Sequence, residues 1–249
     1  MSETPTPADV ARKMPGVVGL LVGEIEIPVD DMDQAVPLLG LARCNRLLQG
    51  MVAVKDARLP DLVGVFVRPV METWLISMYV LLGDVTASRV VLGDFLFHVR
   101  RFAGKETDLR KLVESWPDEP AQFQWPDITS KVLALVDERE SFPEHAEAAA
   151  LLYRFYRWVS TWELHGTVGS MLGHADAISG RPVEIRAERE GTDPTLHIQI
   201  AAFFTGSLGS SIAEVHDVET DPIDPLLDEI MGDRSFRSLL AQLFNNDLP

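Results

Sequence analysis

Leu62-Val63-Gly64-Val65-Phe66-Val67-Arg68-Pro69-Val70-Met71-Glu72-Thr73-Trp74-Leu75-Ile76-Ser77-Met78-Tyr79-Val80-Leu81-Leu82 decides the fold class. The run is apolar on nearly every face, too long for a strand, and preceded by Pro60, which suits the first position of a helix. It predicts a core helix. Pro69 inside it predicts a kink or an interruption beside Arg68. Arg68 and Glu72 stand one turn apart in this apolar setting, where an unpaired charge costs several kcal/mol. The pair is therefore expected to face inward and to bond across to other helices, either fixing helix register or lining a site.

Outward from this run the other segments carry helical signals. Asp30 to Asp33 form an acidic first turn ahead of Val36, Leu39, Leu41, Leu47, Leu48 and Val52. Gly83-Asp84 ends the central helix and caps another, Val85 to Phe102. Thr107 to Trp116, Ile128 to Val136, Ser141 to His165, Asp193 to Ala213 and Ser235 to Phe244 follow as helices. Gly166, Gly169 and Gly173 weaken a continuation to about Ile178. Val183 to Glu190 alternates like a strand but has no obvious partner. The expected fold is all-α: a single helical bundle of five to seven main helices with a C-terminal helical appendage. Trp74, Phe95, Phe155, Val159 and Phe203 are expected in its core. Residues 1–30 read as an N-terminal arm and 31–213 as the bundle. Residues 214–249 read as an acidic connector and C-terminal amphipathic helix, loosely attached because Glu214 to Asp233 holds eight acidic residues and no Lys or Arg.

Composition narrows the function classes. Among 249 residues, 46% are hydrophobic and 24% charged, which suits a packed globular chain. The formal charge of −16 opposes broad nucleic-acid binding. A lone cysteine, Cys44, permits no intrachain disulfide or thiolate metal cluster and suits a reducing compartment. The N-terminus lacks a basic signal-peptide region, and the central uncharged apolar run is short of the roughly 20 residues that cross a bilayer. A soluble, cytoplasmic protein without membrane partners is expected.

The second segment with chemistry is Tyr153-Arg154-Phe155-Tyr156-Arg157-Trp158-Val159-Ser160-Thr161-Trp162-Glu163-Leu164-His165-Gly166. On a helix Tyr156 and Ser160 share a face. His165, close to a helix end, would have its cationic form favoured by the dipole, which suits a general acid or a phosphate holder. Glu163, His165 and His174 do not have metal-ligand spacing, and Ser160 and His165 diverge by about 140° on a helix, so no metal site or nucleophilic pair is expected. No phosphate-cradling glycine motif occurs. The small residues of Gly206 to Ser211 read as a close helix contact.

Together, Arg68-x-x-x-Glu72 in an apolar helix and a Tyr-rich helix ending Ser160-x4-His165-Gly166 resemble a family of bacterial all-helical proteins. That family is itself distantly similar to HEPN (higher eukaryotes and prokaryotes nucleotide-binding) domains. The resemblance covers roughly residues 35 to 215. It implies a defence-associated or toxin-like role and, in active members, metal-independent RNA cleavage by paired Arg and His motifs across a homodimer. Arg157 and His165 are the matching catalytic positions. Seven residues separate them, more than the family motif has, and Trp158 replaces its polar neighbour.

Three functions follow as expectations. The first is a regulatory or defence-associated protein whose pocket of Arg68, Glu72, Tyr156, Ser160 and His165 binds a small ligand or nucleotide without a cofactor. The second is a dimeric HEPN-like ribonuclease using Arg157 and His165. The third is a non-catalytic interaction protein whose acidic surface docks a basic partner.

Overall fold

The computed structural model describes residues 6–27, 31–84, 86–102, 111, 124–140, 145–160, 175–176, 184–185, 194–219, 222–232 and 238. Among them are eight α-helices: α1 (Pro7–Glu24), α2 (Met32–Asp56), α3 (Gly64–Leu82), α4 (Ala87–Phe102), α5 (Trp125–Glu140), α6 (His145–Val159), α7 (Thr195–Val215) and α8 (Asp224–Met231). A short 3-10 turn, Pro60–Leu62, leads into α3. The fold is all-α. The expected helices at Thr107 to Trp116 and Ser235 to Phe244 lie outside the described residues, apart from Lys111 and Ser238, which are helical.

Helix α7 is the axis, packing against α1, α2, α3 and α8. Its Ile198, Ile200, Ala201, Ala202, Phe204, Leu208, Ile212 and Ala213 are buried, so it is apolar around its circumference, as a central helix must be. Helices α2 and α3 run antiparallel: Gly40 meets Ser77, Cys44 meets Val70, and Gly50 meets Phe66. A Cβ on Gly40 would lie 1.8 Å from Ser77 Oγ and 3.0 Å from its Cβ, so only glycine permits this approach. Helix α3 then passes the core on to α5 and α6.

Within the segment expected as an N-terminal arm, Pro7–Glu24 form the packed helix α1. Thr6 and Asp9 form a capping box, with Asp9 N–H donating to Thr6 Oγ1 and Thr6 N–H donating to Asp9 Oδ2. Val10, Met14, Val18 and Leu21 then fall on one face and are buried against α7, α2 and α8. Gly16, Gly19 and Gly23 lie on the opposite, open face, where a Cβ would meet nothing within 4 Å. These glycines disguise the helix in the sequence, because each lowers helix propensity by about 1 kcal/mol.

Within the acidic tail, helix α8 is packed against the bundle. Ile223, Leu226 and Ile230 are buried against α7 and α1, and the Gln199 amide donates to the Ile230 carbonyl. Asp224, Asp228 and Glu229 occupy the exposed side of α8, so an amphipathic helix separates the like charges from its packed face. Gly206 and Gly209 make room for it: a Cβ would stand 2.7 Å from Leu227 and 2.9 Å from Ile223.

Further corrections concern α3, α4 and the strand-like segment. Helix α3 runs through Pro69, whose carbonyl accepts a bond from Thr73 Oγ1 at 2.7 Å. Phe95 is 51% exposed, because α4 turns its neighbour Leu96 inward. Trp74, Phe155 and Val159 are buried as expected, and Phe203 partly so. Glu184–Ile185 pair antiparallel with Ala175–Asp176, a partner that lies where the helix was expected to continue. Pro60–Leu82 and Thr195–Val215 are long and apolar enough to cross a membrane by length and composition, with 56% and 67% of their most apolar windows buried inside the protein.

Candidate functional site

The helix pair α3–α6 brings three of the expected site residues together. Arg68 Nε donates to Glu72 Oε1 at 2.7 Å within α3. Arg68 Nη2 donates to the Tyr156 hydroxyl of α6 at 2.9 Å, and the guanidinium carbon lies 4.8 Å from the centre of that ring. Arg before Glu is the weaker i, i+4 order on a helix. The pair persists here because Tyr156 adds a hydrogen bond and a cation–π contact to the same guanidinium. Both side chains sit at the rim of the core, 17% and 25% exposed, rather than deep within it. Water therefore shares in solvating the pair.

Around Tyr156 the aromatic rings continue. Trp125 of α5 lies 5.6 Å away and tilted by 31°, while Tyr153, one turn earlier on α6, lies 6.1 Å away and within 12° of parallel. Burial and then the Glu72 charge push the Tyr156 phenol up to about 12, with Arg68 pulling the other way. The phenol thus keeps its proton at neutral pH. Arg68 and Glu72 cancel each other's charge, so this cluster by itself offers little net field to an anion.

Ser160 takes no part in the cluster. Its hydroxyl donates back to the Tyr156 carbonyl at 2.6 Å, the i−4 bond common for serine in a helix. His165, with Glu163 and His174, lies outside the described residues. Arg157 is exposed in the last turn of α6, where the helix dipole favours a cation.

Arg157 belongs instead to an open hollow on the outer side of α6. Ala150, Tyr153, Arg154, Arg157 and Trp158 line a cavity of about 310 Å³. Arg154 and Arg157 are one turn apart, and Tyr153 and Trp158 flank them in angle around the helix. Trp158 is in turn stacked on Phe155 at 6.3 Å and on buried His197 of α7 at 6.0 Å. Tyr153 connects the hollow to the Arg68 cluster through its stack on Tyr156. The sequence-based expectation missed Arg154, Tyr153 and Trp158 as lining residues. The sequence shows the two arginines at i, i+3 with Tyr153 and Trp158 on either side, but that pattern does not say which face of the helix stays open.

Among the described residues no three His, Cys, Asp or Glu side chains gather in a way that could hold a metal ion. Cys44 is buried, its thiol donates to the Val70 carbonyl at 3.6 Å, and burial pushes it up to about 12, which removes the thiolate. Comparison with protein-family models, curated proteins and solved structures finds no match to this chain.

Proposed function

We propose that this is a soluble, intracellular binding protein that takes a small anionic, ring-bearing ligand, a nucleotide, in the hollow on α6. The observation that carries this is the lining itself: Arg154 and Arg157, one helical turn apart, together with Tyr153 and Trp158. Guanidinium groups match phosphate oxygens in charge and geometry, and aromatic faces stack on a planar base whatever its identity. The formal charge of −16 disfavours long polyanions over most of the surface, while a small ligand needs only a local cationic patch.

This places ligand contact beside the Arg68–Glu72 pair rather than on it. Arg68, Glu72 and Tyr156 support the hollow from behind. Binding is preferred over RNA cleavage because Arg157 shares its hollow with Arg154, Tyr153 and Trp158, which suits holding a ligand, and because a charge of −16 opposes the approach of a long RNA. Calorimetric titration of the full chain with AMP and with inorganic pyrophosphate tests the proposal. Saturable binding of both is expected, weakened by about tenfold or more in Arg154→Ala and Arg157→Ala. Binding that is absent, or unchanged in both variants, overturns it.

A further inference from the structure

We infer that Arg68 is a positioning residue for the hollow on α6, holding the plane of Tyr153 through Tyr156; this rests on the binding function proposed above. A stacking wall works only if its ring is held at a fixed angle, and Tyr153 is itself only half-buried. What lies behind it is far more constrained. The Tyr156 hydroxyl accepts from Arg68 at 2.9 Å, its ring carries the guanidinium at 4.8 Å, and Trp125 leans on it at 5.6 Å. Glu72 in turn orients the guanidinium through the 2.7 Å bond to Nε. Tyr156 cannot tilt without disturbing these contacts, and Tyr153 lies within 12° of parallel to it. Orientation therefore passes from α3, through two tyrosines, to the surface a ligand base would meet.

The chemistry requires arginine. Its planar fork reaches Glu72 through Nε and Tyr156 through Nη2 at once, whereas the single ammonium of lysine cannot hold both directions. A pair that merely docks α3 against α6 would change stability and weaken every ligand alike. A pair that sets Tyr153 changes only what the ring contributes, leaving the phosphate contacts of Arg154 and Arg157 as they were.

Two probes separate these roles. Inorganic pyrophosphate reports on the arginines alone, and AMP reports on the arginines and the stacking wall together. In the full chain, Arg68→Lys should weaken AMP about fivefold while leaving pyrophosphate within about twofold. On a Tyr153→Ala background the same substitution should have no further effect on AMP, because the wall it sets is gone. Equal losses for the two probes, no loss for AMP, or full additivity with Tyr153→Ala would overturn the inference. If Arg68→Lys does not fold, Tyr156→Phe keeps the ring, removes the hydroxyl that Arg68 holds, and should give the same split. A wild-type chain that binds neither probe overturns the binding function and this inference together, while binding with no such split overturns the inference alone.

Discussion

The side of the bundle built from α1, α2, α7 and α8 and the side built from α3, α5 and α6 hold together by opposite means. On the first, glycines bring helices close: Gly206 against Leu227 and Gly209 against Ile223 leave no space for a Cβ. On the second, rings meet across and along the helices: Trp125 of α5 leans on Tyr156 of α6, and Tyr153 stacks on Tyr156 within α6, each bringing a polar atom to be satisfied or exposed. The aromatic side also carries the Arg68–Glu72 pair and, on the outer face of α6 alone, the hollow.

The contrast breaks most readily at Phe204, which is fully buried and packs on Trp74 at 4.8 Å. Phe204→Ala should cost about 3–5 kcal/mol of unfolding free energy, read by chemical denaturation. A cost below about 1 kcal/mol would mean that the α7 side is loosely packed. Next comes Gly40→Val, which forces α2 from α3 and should destabilise by about 1–3 kcal/mol. Its melting transition should stay single, since α2 and α3 belong to one core.

Glu72→Ala probes the aromatic side. Were the pair fully buried the loss would be about 3–5 kcal/mol, but at 17% and 25% exposure water can replace part of the lost contact. About 2 kcal/mol is expected, and a loss as large as that of Phe204→Ala would place the pair in the dry core instead. The smallest effect is a pH dependence. Because the folded phenol of Tyr156 is raised to about 12 from the ordinary value of 10.0, the folded state holds this proton more tightly than the unfolded chain does. Its contribution is complete below pH 10 and is lost as pH climbs through 12. The ultraviolet titration of the wild type minus that of Tyr156→Phe should show one phenol with a midpoint near 12, and a midpoint near 10 would remove the Tyr156 contacts from the account.

Much of this architecture is legible in the chain. The 62–82 run, the acidic start of α2, the Gly83-Asp84 break and the Pro194 entry to α7 announce their helices through apolar spacing and caps. The pairing of Arg68 and Glu72 with the Tyr-rich helix follows from the cost of an unpartnered charge in an apolar run. What escapes is long-range fit. Glycines on an open face conceal α1, and like charges conceal the apolar face of α8, because propensity and net charge are local sums that ignore what packs opposite. Phe95 and Leu96 differ by one position, and only the placement of α4 decides which is covered. The hollow on α6 depends on which face the neighbouring helices leave open, and no local pattern carries that.

The open glycines of α1 give the chain an unusual engineering margin. Gly16, Gly19 and Gly23 sit in the body of a helix yet have nothing within 4 Å of where a methyl group would go. Each retains backbone freedom in the unfolded chain that alanine would lack, so replacement raises stability by roughly 0.5–1 kcal/mol per position without touching a packed atom. Three alanines together would yield a sturdier scaffold whose core and hollow are unaltered. On that background, variants of Arg68, Glu72 or Tyr156 too fragile to purify could be studied intact.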